Sequence, residues 1–193
     1  MEIPLGLDEL RQLSLWTADC AERALPLYEA AAPGDSRARD AIEAVRAFGV
    51  GGKRTKAIRT AAFAALKAAG QFAEAAAQAG TEDAGTGTTV AVQAAEAAAR
   101  AAVGAAGSAY LHPFAAATQV KHIVASAQYA AYAEELATGA PAAADAVIAW
   151  ALKRVPGAVR EVIARYPEGS AGRGRLGELH RAVESGLRRP STS

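Results

Sequence analysis

The only cysteine of the chain, Cys20, lies among charges in the stretch LWTADCAERALPLYEA, with Asp19 before it and Glu22 and Arg23 just after. A thiol in such a place can be a nucleophile, a metal ligand or part of a buried helix face. Nucleophilic use requires electropositive surroundings and access to solvent. Leu13, Trp16, Cys20, Ala24 and Leu27 instead follow spacings of three, four, four and three, which gathers them on one side of a helix. Cys20 is the centre of that stripe, with an indole and leucines as neighbours, so it is expected in the core. No second Cys or His stands at the spacing a metal site requires. Asp19 and Arg23, four residues apart at the margin of the stripe, are expected to pair. Leu15 and Glu22 point nearly opposite, which suggests a second neighbour on that face.

A second candidate lies around His122. Thr118, His122, Ser126 and Tyr129 are spaced four, four and three, nearly opposite the apolar face of Val120, Val124, Ala127 and Ala131. This row is polar yet carries no Lys or Glu. It can line a pocket in which His122 acts as a general base or a proton-sensitive ligand. It can equally cross-link helices through hydrogen bonds. Asp19 or Glu43 would be the acid–base partner in the pocket reading. His112, before Pro113, is expected in a turn, and His180, among Leu176, Leu179 and Val183, at a packing edge.

A third candidate is cationic. Arg39, Glu43 and Arg46 align beside Ala38, Ile42 and Val45, and KRTKAIR (53–59) follows directly. Arg37, Arg39, Arg46, Lys53 and Arg54 thus form a basic patch that can hold an anion or an acidic partner, or remain a solvated face. Asp40 and Glu43 dilute it and no aromatics interleave, so nucleic acid is not the expected partner. A Gly-rich phosphate loop, a G-x-S-x-G elbow and an H-E-x-x-H motif are all missing. GVGGKRT (49–55) has the wrong glycine spacing for a phosphate loop, and no strand precedes it.

The elements that must position these residues are helical. In 193 residues, 51% are hydrophobic but only 6% aromatic. Most of the apolar content is alanine, the best helix former and a poor source of buried area, so cohesion must come from close helix approach. Periodicity predicts helices from about Leu7 to Ala31, over SRARDAIEAVRAF with Asp35 as N-cap, from about Lys53 to Gln78, and from Val90 to about Gly107. A fifth is predicted from Pro113 to about Leu136, followed by Asp145 to Val155, Ala158 to Tyr166 and Leu176 to Leu187. PEGSAGRGR (167–175) is expected to be a mobile linker and RRPSTS (188–193) a disordered tail. The predicted fold class is all-α, an alanine-rich multi-helix bundle of about seven or eight helices. Residues 1–166 form the bundle domain, and 167–193 hold the linker, a short C-terminal helix and the tail.

A net charge of +1 gives no global field to recruit nucleic acid or an acidic membrane. The acidic N-terminus lacks a signal-peptide apolar run, and AAVGAAGSAYLHPFAAA is interrupted by His112-Pro113. A cytoplasmic protein is expected.

The first fifty residues resemble the Imm-5-like immunity proteins, an all-helical family common in actinobacteria. Their pattern runs Leu-x-x-Trp-Ala-x-x-Cys-Ala-Glu, then Asp-x-Arg-x-Arg-x-Ala-Ile-Glu-Ala-x-Arg-Ala-Trp. Trp16, Cys20, Ala21, Glu22, Asp35, Arg37, Arg39, Ala41, Ile42, Glu43 and Arg46 match it, and Phe48 replaces the final tryptophan. Trp16, Asp19, Cys20, Arg23 and Glu43 are expected to be structural members of this region. The family's later His-x-x-x-His, with a tyrosine seven residues on, is met by His122 and Tyr129, while Thr118 stands where the first histidine would be. The resemblance implies a protein that binds and neutralises a cognate toxin without catalysis, cofactor or metal. The alternative is an enzyme or ligand-binding protein of secondary metabolism, with a small molecule held around His122 and Tyr129. A helical adaptor acting through the basic surface is a third reading.

Overall fold

A computed structural model describes residues 1–79 and 86–189. Its elements, in chain order, are α1 (Leu7–Ala31), α2 (Arg37–Gly49), α3 (Lys56–Ala79), α4 (Thr86–Ser108), α5 (Ala117–Thr138), α6 (Pro141–Arg154), α7 (Gly157–Ala164) and α8 (Gly174–Arg188). The predicted all-α class holds. One isolated antiparallel bridge, Glu2 with Phe114, is the sole extended pairing among the described residues.

α4 is the hub, packed against α1, α2, α3 and α5. Its buried hydrophobic positions, from Ala94 to Ala106, are all alanine. Methyl-sized side chains let neighbouring backbones come close. At Gly104 even a methyl is too much: a Cβ there would lie 2.9 Å from the Ser126 backbone nitrogen. The larger side chains that fill the core come from the surrounding helices, among them Leu13, Tyr28, Phe48 and Ile123.

Buried hydroxyls join α1 to α4 and α5. Thr17 Oγ1 lies 2.9 Å from Ser108 Oγ, and Ser126 Oγ donates to the Thr17 carbonyl at 2.6 Å. Each of these hydroxyls is hydrogen-bonded, so its burial carries little penalty.

Several boundaries move. α5 starts at Ala117, not Pro113, because the preceding residues are pinned to the N-terminus. Ile3 N–H donates to the Pro113 carbonyl at 2.9 Å and Ala115 N–H to the Met1 carbonyl at 3.0 Å. α3 starts at Lys56, leaving Lys53 in an irregular turn, and α4 begins earlier than predicted, at Thr86. Asp35 precedes the assigned N-cap Ser36, yet its Oδ1 accepts the Arg37 N–H at 3.0 Å. At the far end, Gly139 closes α5 in the left-handed conformation, φ 67°, and Pro141 opens α6.

α8 packs on α5, α6 and α7, and Leu179, Val183 and Leu187 join the common core. Arg175 forks onto Glu135, and the segment predicted to be a linker is fastened where Gly169 N–H donates to Glu184 at 2.9 Å. The tail from Pro190 onward, and residues 80–85 of the predicted loop, lie outside the described residues.

Candidate functional site

Cys20 is fully buried, and burial first, then the adjacent Asp19 charge, pushes its thiol up. Trp16 in the same stripe is 3% exposed and donates its indole N–H to the Ala151 carbonyl at 3.0 Å. The second neighbour expected on the opposite face is α2: Gly49 leaves room for Leu15, whose Cγ would sit 2.6 Å from an added Cβ.

The expected Asp19–Arg23 pair does not form. Arg46 crosses from α2 and binds Asp19 and Glu22 together, each at 2.7 Å. Arg23 turns to α6 instead, its guanidinium 5.2 Å from the Trp150 ring centre. A bidentate partner on the adjacent helix outcompetes the intrahelical pair because one guanidinium serves both acids. Arg39 binds Glu29, and Arg37 binds Asp35. The Arg37 hydrogen bond, opposed by partial burial, holds the Asp35 carboxyl down at about 2. Glu43 is exposed with no ion-pair partner among the described residues. Lys53 is also exposed, while Arg54 donates to the Ala109 carbonyl at 3.0 Å. The five basic residues therefore do not act as one free patch, since the three on α2 are neutralised in place.

The row on α5 divides. His122 and Tyr129 line one cavity, Thr118 is exposed outside it, and Ser126 faces α1. Most of the circumference of α5 is covered, with Val120, Ile123, Val124, Ala127, Ala130 and Ala131 buried, and Gln128 donates to the Leu176 carbonyl. A polar stripe without charges here marks a helix packed nearly all round, with one opening. Neither Asp19 nor Glu43 lines that opening.

The opening is a furrow over α4. α3 and α5 both pack on α4 with little direct contact between them, and the space left encloses about 600 Å³. The chain has three histidines, and all three, His112, His122 and His180, reach it from different segments. Burial first, then Lys121 and His112, keeps His122 below its ordinary 6.5. Burial does the same for His180, against the opposing pull of Glu184. Both imidazoles are thus neutral near pH 7. Among the described residues no group of three His, Cys, Asp or Glu could hold a metal ion.

The furrow continues in both directions. A cavity of about 450 Å³ shares Arg59, Tyr110 and His112 with it, and another of about 210 Å³ shares Arg100 and Tyr129. Its lip carries Phe63, 64% exposed, and Leu66, 43% exposed. Arg59 and Arg54 hold their guanidiniums 4.8 and 5.7 Å from the Tyr110 ring centre. Sequence reasoning placed Arg59 only within the basic stretch 53–59 and missed Phe63, Leu66, Arg100 and Lys121. The signal was there in α3, where Arg59, Phe63 and Leu66 are spaced four and three on an alanine background. Their meaning depends on where α3 lies.

No curated protein and no solved structure matches the chain. No helix among the described residues is long and apolar enough to cross a membrane. Residues 4–92, spanning α1, α2, α3 and the first turns of α4, match the family model described as Imm-5 like putative immunity protein.

Proposed function

We propose that this chain is an immunity-type protein that binds and neutralises a cognate toxin by occlusion, without turnover, inside the cytoplasm. The observation that carries the reading is the family match over residues 4–92. The furrow adds support, because exposed Phe63 and Leu66 give the matched segment an apolar surface suited to a protein partner. A binding rather than a catalytic role also suits a motif whose arginines are engaged in joining α1 to α2. The test is co-expression with the toxin encoded by the neighbouring gene. Suppressed lethality together with a stoichiometric complex is expected, and unaltered lethality would reject the reading.

A second reading is favoured by the His122–Tyr129 opening. A concave, mostly apolar space of about 600 Å³ with a few polar groups is of the size that small-molecule sites use. Under this reading the purified protein retains a metabolite by native mass spectrometry. That mass would disappear in His122→Ala and Tyr129→Phe variants.

A further inference from the structure

We propose that the furrow over α4 is the docking site for an amphipathic helix of the toxin, apolar along one face and acidic along both flanks. The identity of that partner rests on the immunity reading above; the chemistry of the helix rests on the furrow itself.

Length comes first. The furrow follows one face of α4, from Gln93 through Ala97, Arg100 and Val103 to Gly107, in steps of three and four residues, and reaches Tyr110 just past the end of the helix. At about 1.5 Å per residue the helical part, Gln93 to Gly107, runs roughly 21 Å, far longer than a drug-sized molecule and close to the span of a four-turn helix. α3 and α5 form its two walls, each packed on α4. A helix laid between them would occupy the vacant position of that layer, and helix-in-groove recognition uses such a shape.

The walls set the chemistry. Phe63 and Leu66 on the α3 lip are large, apolar and open to solvent, and a second apolar surface is what would cover them. Charge then selects among apolar helices. Arg59 lies on the α3 side and Lys121 on the α5 side, both exposed and lining the furrow. Neither has an ion-pair partner among the described residues. Among the described residues the one carboxylate lining the furrow, Glu96, is held by Arg100 at 2.7 Å. Elsewhere arginines such as Arg46 and Arg175 are matched by acids. Arg59 and Lys121 therefore place unmatched positive charge on both margins of an apolar floor. Such complementarity steers an acidic partner and repels a basic one.

The probe is a stapled peptide of about 18 residues, with leucines on one face and glutamates on both flanks, beside its lysine counterpart. Fluorescence anisotropy with the full chain is expected to show the glutamate peptide binding at least about tenfold more tightly than the lysine peptide, with affinity falling as salt rises. An Arg59→Glu/Lys121→Glu variant, its thermal midpoint unchanged, is expected to lose at least about tenfold in affinity for the glutamate peptide. Equal affinity for the two peptides, or no binding, overturns the proposal. Saturation by decanoate, with the same sensitivity to the variant while the peptide stays unbound, assigns the furrow to a small amphipathic anion and also overturns it. Co-expression separates the two claims. If the wild-type chain protects against the toxin and the double variant protects equally, the furrow proposal falls and the immunity reading stands. If the wild-type chain gives no protection, the immunity reading falls and with it the partner's identity, while the peptide titration still decides the furrow.

Discussion

In the α1–α2 pair, each arginine of α2 ends on a carboxylate: Arg37 on Asp35, Arg39 on Glu29, and Arg46 on Asp19 and Glu22. Along the furrow, Arg54 and Arg59 end over the Tyr110 ring and Lys121 is exposed. The apolar residues differ in the same sense. Trp16 and Cys20 are buried, whereas Phe63 and Leu66 are open. Side chains whose charges and apolar surfaces are already matched hold a structure together. Those left unmatched on a stable scaffold are available to a partner. The arginines of the α1–α2 motif are engaged in architecture, and the recognition surface we propose lies across α3, α4 and α5.

The comparison breaks most visibly at Trp16. Trp16→Ala should destabilise the fold by about 3–5 kcal/mol, from the cavity and the orphaned Ala151 carbonyl. Urea denaturation reads this, and a loss below about 1 kcal/mol would remove the indole from the architectural set. Next comes Cys20→Ser, expected to cost about 1–3 kcal/mol by burying an unsatisfied hydroxyl. The same thiol should react slowly with a thiol reagent in the native protein and quickly once unfolded, so rapid native labelling would reopen a nucleophilic role.

Asp35 supplies a pH test. Its carboxyl falls from 3.8 to about 2 on folding, so the unfolded chain takes up this proton first as the solution is acidified. The resulting stabilisation, about 1–2 kcal/mol, is present above roughly pH 4 and is lost as pH falls toward 2. Arg37→Gln should flatten that part of the stability–pH curve; an unchanged curve would contradict the pairing. Arg46→Ala should cost no more than about 1 kcal/mol despite its two partners, because all three side chains are at least a third exposed. The smallest effects sharpen the contrast. Glu43→Ala and Lys121→Ala should each stay within about 0.5 kcal/mol of the wild type. Only Lys121→Ala should weaken binding of an acidic peptide in the furrow, and a binding loss confined to Glu43→Ala would move the recognition surface to α2.

Fold class was open to reading because alanine-rich 3.6-residue periodicity and Gly–Pro punctuation are local properties. The core position of Cys20 followed likewise, since its whole stripe lies on one helix. Local signals failed at the α5 start. Pro113 is a good first helical residue by its own chemistry, yet the backbone of Met1 and Ile3, distant in sequence, bonds this segment and keeps it out of the helix. Asp19 and Arg23 carry the right spacing to pair, but Arg46 and Trp150 arrive from other helices and take them separately.

By itself the sequence determined the helices, the buried stripe of α1 and the resemblance to the Imm-5-like family, all of which depend on residues within a few turns of one another. Only the tertiary structure decided which polar residues meet. It turned Ser126 toward Thr17, left Thr118 outside the opening, and drew His112, His122 and His180 to a single furrow. The physical reason is that a helical wheel fixes the direction of a side chain about its own axis. It contains nothing about what stands opposite, and here the small alanine and glycine side chains of α4 allowed α3 and α5 to flank one another without closing the space between them.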